Sequence, residues 1–222
     1  MDWTALGVSL RLGVATILLL LPPGIWLGRL LAVRRFPGKL LVEALVTVPL
    51  VLPPTVLGFY LLVTFGGQSP IGQAFQAIVG QTLPFSFEGL LLASVIVNIP
   101  FVVQPIQRGF EAIPGDLRDA AACCGLTPWQ RFLQIELPLA WPSILTAAIL
   151  AFAHTLGEFG VVLMVGGNLP GETRTLSIAI YDRMQAFEDR SAGIMAAVLL
   201  LVAVAALIAT TSLSRRLGPS RG

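Results

Sequence analysis

His154 and Glu158 stand four residues apart in an apolar stretch, the spacing that puts two side chains on one face of a helix. An imidazole beside a carboxylate suits zinc binding or acid–base catalysis, so this pair is where chemistry would be sought first. His154 is the single histidine of the chain, so no second histidine can complete a zinc site. A Ser-His arrangement would have to form around the same ring, and no G-x-S-x-G nucleophile motif is present. Cys123 and Cys124 are adjacent, which allows a disulfide only through a strained ring and leaves no metal-site spacing; they read as small, inert helix fillers. The one lysine, Lys39, is followed by Leu40, so the chain has no phosphate loop ending in Lys-Ser or Lys-Thr. The chain therefore reads as a non-enzyme, without a cofactor or a metal of its own.

The composition states what surrounds those residues. Of 222 residues, 55% are hydrophobic and 12% charged, and the mean hydropathy is +0.84. A soluble domain carries about a quarter of its residues as Asp, Glu, Lys or Arg. Half that number cannot cover a water-exposed globule, which excludes disorder, nucleic-acid binding and an ordinary cytosolic enzyme. Five apolar blocks approach the roughly 20 residues that a bilayer crossing needs: Leu12–Val33, Leu40–Phe65, Gly89–Gln107, Ile144–Val165 and Ala192–Leu213. Open strand edges cannot exist in lipid, so each block is predicted to be a helix. Pro49, Pro53 and Pro54 in the second block and Pro100 and Pro105 in the third predict bent spans. No cleavable signal pattern precedes the first block, which is expected to remain as a transmembrane helix.

Charge orients the bundle. Ten of the fourteen Lys plus Arg (Arg29, Arg34, Arg35, Lys39, Arg108, Arg118, Arg131, Arg215, Arg216 and Arg221) fall on one side of a five-span arrangement. Basic residues stay in the cytoplasm, so the N-terminus is predicted outside and the C-terminus inside. Two outer connections exceed a minimal turn. Within the first, Ile71–Val79 is too short to span and reads as interfacial. Within the second, Leu176, Ala179, Ile180, Met184 and Phe187 recur at helical spacing, either to lie against the bundle or to present a docking surface to an external partner.

An all-α integral membrane protein forming a single domain over residues 1–222 is the fold class this predicts. Within it Glu158 falls in the outer half of the fourth span, where an ionisable group is costly and usually functional. Pairing with His154 would suit a gate; a locally satisfied structural role is the alternative. Lys and Arg are absent from the depths of the spans, so any anion path should be wet and lined by neutral donors such as Thr55, Ser94, Asn98 and Gln104.

The longest cytoplasmic segment, 109–142, holds two short helices about Gly125: Leu117–Cys124, then a restart at Thr127-Pro128 as cap and first-turn proline, with Pro138 expected to end the run. Asp119-Ala120-Ala121, Gly125, Ile135, Leu137 and Pro138 resemble the EAA loop of ABC-importer permeases, complete in spacing and with Asp in place of Glu at the first position. Phe36–Lys39, Val48–Gly58, Leu156–Gly160 and Asn168–Thr175 are similar to the molybdate permease family, and several of these elements also to sulfate/thiosulfate permeases. His154 departs from the arginine such permeases often carry. The resemblance implies a homodimer whose interface forms the path and two ATPase subunits docked on 109–142. It further implies ATP and Mg bound by those subunits, an external oxyanion-binding protein, and residence in a bacterial inner membrane. Sulfate, thiosulfate or tungstate are the alternative cargoes, and a stand-alone channel or secondary transporter the alternative class.

Overall fold

A computed structural model describes residues 1–217, in which every regular element is a helix; Arg221, counted above among the basic residues, lies outside the described residues. In chain order the helices are α1 (Trp3–Val33), α2 (Lys39–Val51), α3 (Pro54–Phe65), α4 (Pro70–Val79), α5 (Phe87–Glu111), α6 (Gly115–Cys123) and α7 (Pro128–Arg131). A π-helical turn at Phe132–Glu136 leads into α8 (Leu137–Gly157), followed by α9 (Gly160–Gly166), α10 (Leu176–Gln185) and α11 (Asp189–Leu217). Four stretches are long and apolar enough to cross a membrane: α1, α5, Pro128–Gly157 and Asp189–Ala209. The α2–α3 pair, bent by 111°, makes a fifth if counted as one span.

The centre is α1 packed along α5 and α8, with Leu20, Val102, Ile106, Phe110, Ile144 and Ala147 buried between them. Large apolar side chains stay on the outside, among them Leu40, Leu41 and Leu45 of α2 and Leu200, Leu201 and Ile208 of α11. In water such a surface would be a liability; against hydrocarbon it is the ordinary condition of a span.

The structure departs from the predicted blocks at several points. The first helix starts at Trp3, nine residues before the predicted Leu12, because the Asp2 carboxylate accepts the Ala5 N–H at 2.9 Å and caps it. The second block is bent as predicted, by 111°, and the bend is a full break between two helices. Leu52 and Pro53 each precede a proline, a position that favours the extended backbone both adopt (ψ 136° and 137°), and Pro54 then opens α3 at its first position. α5, by contrast, runs unbroken through Pro100 and Pro105. The fourth block stops at Gly157, with Glu158 extended at ψ 129°, and resumes as the short α9. On its other side that span reaches back through Pro138, which does not end the run. The π turn, with Leu137 N–H bonded to the Phe132 carbonyl, shifts the hydrogen-bond register where proline has no N–H to offer.

α3 and α9, the second pieces of the two broken spans, pack on each other through glycine. A Cβ at Gly58 would stand 2.9 Å from Met164 Cβ and 3.1 Å from Val161 Cα, and one at Gly160 would stand 2.8 Å from Pro54 Cβ. With lipid as apolar as leucine, such close approach, rather than exclusion from water, holds the helices together. Gly58→Val should therefore destabilise the protein by about 1–3 kcal/mol. Gly193→Ala, where a Cβ meets nothing within 4 Å, should not lower stability. Thermal unfolding of the purified protein in detergent checks both.

Candidate functional site

One end of the bundle carries the knob built from α6 and α7. Helix α6 closes in a Schellman turn: Gly125 N–H bonds to Ala122 O at 3.0 Å, Leu126 N–H to Ala121 O at 3.1 Å, and Gly125 has φ +78°. Thr127 then caps α7, its hydroxyl accepting the Gln130 N–H at 3.3 Å while Gln130 Oε1 accepts the Thr127 N–H at 2.8 Å. The spacing around Gly125 thus folds as a helix, a left-handed turn and a capped restart. Asp119, Ala120 and Gly125 are exposed, Ala121 is buried, Ile135 and Leu137 are half-buried, and Pro138 is exposed. α6 thus exposes two carboxylates, Asp116 and Asp119, beside Leu117 and the small residues Ala120 and Ala122.

What ties this knob to the bundle is a residue that sequence reasoning passed over. Glu136, 2% exposed, receives Arg29 Nε at 2.5 Å from α1 and faces Arg118 Nε at 3.4 Å from α6. Arg118 also donates to the Phe110 carbonyl at the end of α5 with a 2.6 Å bond. One carboxylate therefore joins the knob, α1 and the start of the α8 span. The available signal was a lone acid in the apolar run Phe132–Leu137, lying between Ile135 and Leu137 of the motif.

The second locus lies at the two helix breaks. His154 Nε2 is 3.6 Å from Glu158 Oε2, so the predicted pair meets, as an ion pair when the ring is protonated. Glu158 Oε1 accepts the Val161 N–H at 3.1 Å, and the Glu158 carbonyl accepts the Ser177 hydroxyl at 2.7 Å. The carboxylate thus serves the start of α9, which explains locally why the span breaks there. His154 stacks on Phe101 with ring centroids 4.0 Å apart and donates from Nδ1 to Asn98 Oδ1 at 3.2 Å. Asn98 Nδ2 donates to Thr155 Oγ1 at 3.0 Å and to the Ser94 carbonyl at 2.8 Å, and the Thr16 hydroxyl reaches Ser94 at 2.9 Å. Ser94 and Asn98 are thereby enclosed between α1, α5 and α8, at 3% and 0% exposure. The structure corrects their expected place on a wet wall: their polar atoms are consumed in bonds between helices.

Thr55 and Gln104 do face outward, Thr55 exposed at the first turn of α3 and Gln104 half-buried on α5. Gln104 lines a cleft of about 420 Å³ between α2, α5 and α8 with Phe101, Arg108, Ser143 and Thr146. This cleft adjoins, through Leu50 and Phe101, a pocket of about 220 Å³ bounded by Pro49, Pro54, His154 and Glu158. The predicted residues thus divide into three groups: a knob, a buried polar junction, and a groove with His154 and Glu158 at one end. Outside these, α10 buries Leu176, Ile178 and Ala179 and leaves Met184 and, just beyond its end, Phe187 exposed. The helix thereby both lies on the bundle and presents an apolar edge.

Comparison with known proteins follows this geometry. The family described as binding-protein-dependent transport system inner membrane component matches residues 24–219. The chain is 48% identical over 215 residues to the molybdenum transport system permease protein ModB of Azotobacter vinelandii, covering 97% of this chain and 95% of that one. It is 39% identical over 184 residues to ModB of Escherichia coli K12, covering 83% and 80%. A crystal structure of a bacterial alginate ABC transporter, in complex with an alginate pentasaccharide-bound periplasmic protein, is similar in fold. The TM-score is 0.76 at 20% identity, over 97% of this chain and 79% of that one.

The Glu136 junction is directly testable. Removing one partner of a buried ion pair leaves an uncompensated charge, at a cost of about 3–5 kcal/mol. Glu136→Gln and Arg29→Gln should each lower the melting temperature of the purified protein, and the double variant should lose less than the sum. Additive losses would mean that the two residues act separately.

Proposed function

Because the chain belongs to the family of binding-protein-dependent transport system inner membrane components, multi-pass proteins of the bacterial inner membrane, we propose that it is the permease subunit of an ATP-driven importer for molybdate. The observation that carries the cargo is the near full-length identity to ModB, 48% across 97% of the chain. In this reading residues 1–222 form one permease domain, and two copies face each other across the translocation path. An external oxyanion-binding protein meets the α4 and α10 end, where Met184 and Phe187 are exposed. Two ATPase subunits, holding ATP and Mg, take the α6–α7 knob at the basic end. The N-terminus then lies outside and the C-terminus in the cytoplasm.

The coupling follows from contacts already described. Asp119 and Ala120, with Ala121 buried beneath them, give α6 a small, acidic surface that a groove in the ATPase can approach closely, with Gly125 setting the angle to α7. Ile135, Leu137 and Pro138 continue that knob into the α8 span without a hinge, and Glu136 extends the connection to α1 through Arg29. A displacement at the knob therefore moves α1 and α8 together. At the other end of α8, His154 and Glu158 stand where two discontinuous spans meet, and irregular backbone is tolerated at membrane depth where it lines a cavity. There they act as a gate that opens when the breaks separate. Thr55 and Gln104 belong to the path, whereas the junction of Ser94 and Asn98 holds the gate helix in place.

The function itself is tested by reconstituting the permease with its ATPase and binding protein in vesicles. ATP-dependent uptake should favour molybdate over sulfate; uptake of sulfate alone would reassign the cargo, and no oxyanion uptake would refute the importer reading. Gly125→Val forces a β-branched residue into left-handed backbone at about 1–2 kcal/mol. It should weaken ATPase association about tenfold, read by co-purification, and transport should fall with it. Glu158→Gln and His154→Ala should each reduce uptake, with a non-additive double variant. Faster uptake in Glu158→Gln would instead mark the carboxylate as an electrostatic barrier.

A further inference from the structure

The groove holds one cation that neither the coupling knob nor the gate uses. Arg108, in the last turn of α5, is exposed, and its guanidinium makes no ion pair or hydrogen bond among the described residues. It is the one charged side chain lining the 420 Å³ cleft. Ser143, across the cleft on α8, has a hydroxyl that likewise makes no hydrogen bond among the described residues. Gln104, one turn before Arg108, spends one amide hydrogen on the Thr47 hydroxyl at 3.3 Å and keeps the other. Three kinds of donor, one of them cationic, therefore converge on a space walled by Leu50, Phe101 and Leu150.

Building on the importer reading, we propose that Arg108, Ser143 and Gln104 form a transient binding site for a tetrahedral oxyanion in the inner half of the path. The planar fork of a guanidinium matches two oxygens of such an anion, and the hydroxyl and amide supply further donors. Low-dielectric walls strengthen a lone positive charge and raise the local anion concentration. At about 30 Å³ per water, the cleft holds the anion with part of its hydration shell.

The site is also built to let go. Arg108 borders a second pocket, of about 250 Å³, lined by Glu43 and Glu111. Gln107 Nε2 donates to both carboxylates at 2.9 Å, and Lys39 lies 3.7 Å from Glu43. These carboxylates repel a dianion that goes past Arg108, so it cannot settle deeply there. Conduction needs binding firm enough to admit the ion and weak enough to release it.

The test places a reporter thiol at Leu150→Cys, on the apolar wall, in a Cys123→Ala, Cys124→Ala background, within the complete transporter. Molybdate should slow modification by a thiol reagent by 1 + [L]/Kd, about threefold at twice the Kd. Arg108→Gln should abolish that protection and cut ATP-driven uptake about tenfold, while Arg108→Lys keeps part of both. A transporter that imports molybdate normally but shows no protection, or protection unchanged by Arg108→Gln, overturns the site and leaves the importer reading intact. Absence of oxyanion uptake in the unaltered complex refutes that reading instead.

Discussion

In hydrocarbon, water does not complete a broken hydrogen bond or solvate a charge, and the rest of this structure depends on that constraint. At three departures from a plain apolar helix, the polar group involved is captured by a neighbour. The break after Gly157 exposes backbone N–H groups of α9, and the Glu158 carboxylate takes one of them. Asn98 has four bonding positions to satisfy between three helices and reaches Ser94, Thr155 and His154. At the basic end Glu136 is buried only because Arg29 and Arg118 converge on it.

Those captures give the protein its mechanical character. Helices held by polar bonds and close glycine contacts cannot slide continuously; they move as joined pieces or separate. The knob, the π turn and α8 form one continuous path, with α1 attached through Arg29. α3 and α9 approach each other closely at Gly58 and Gly160. The cleft lies where α2, α5 and α8 face one another.

Electrostatics divides the labour along the groove. Apolar walls carry a few neutral donors, a single arginine stands near the basic end, and carboxylates follow beyond. A dianion is thereby attracted without being held. Glu158, at the other end, is occupied with α9 and His154. Its charge serves the backbone before it can act on any cargo.

Composition and pattern alone determined the class and the helical content. Block lengths, one histidine, one lysine and the spacing around Gly125 are local properties, and local physics translates them directly: the left-handed turn at Gly125, the Thr127 cap and the contact of His154 with Glu158 all follow from neighbours within a few residues. The tertiary structure alone decided which way polar side chains face. Ser94, Asn98 and Gln104 all lie on one helix, yet two are sealed against α1 and α8 and one opens on a cleft. Sequence periodicity does not record which helix comes to lie alongside. The same holds for Glu136, whose partners sit 107 positions away on α1 and on a separate short helix. Proline reads ambiguously for a related reason: Pro53 and Pro54 end a helix, whereas Pro100, Pro105 and Pro138 sit inside helical runs. The adjacent pair Pro22-Pro23 also stays inside α1, so two successive prolines do not by themselves end a helix; a missing N–H is absorbed where packing or a π turn supplies the support.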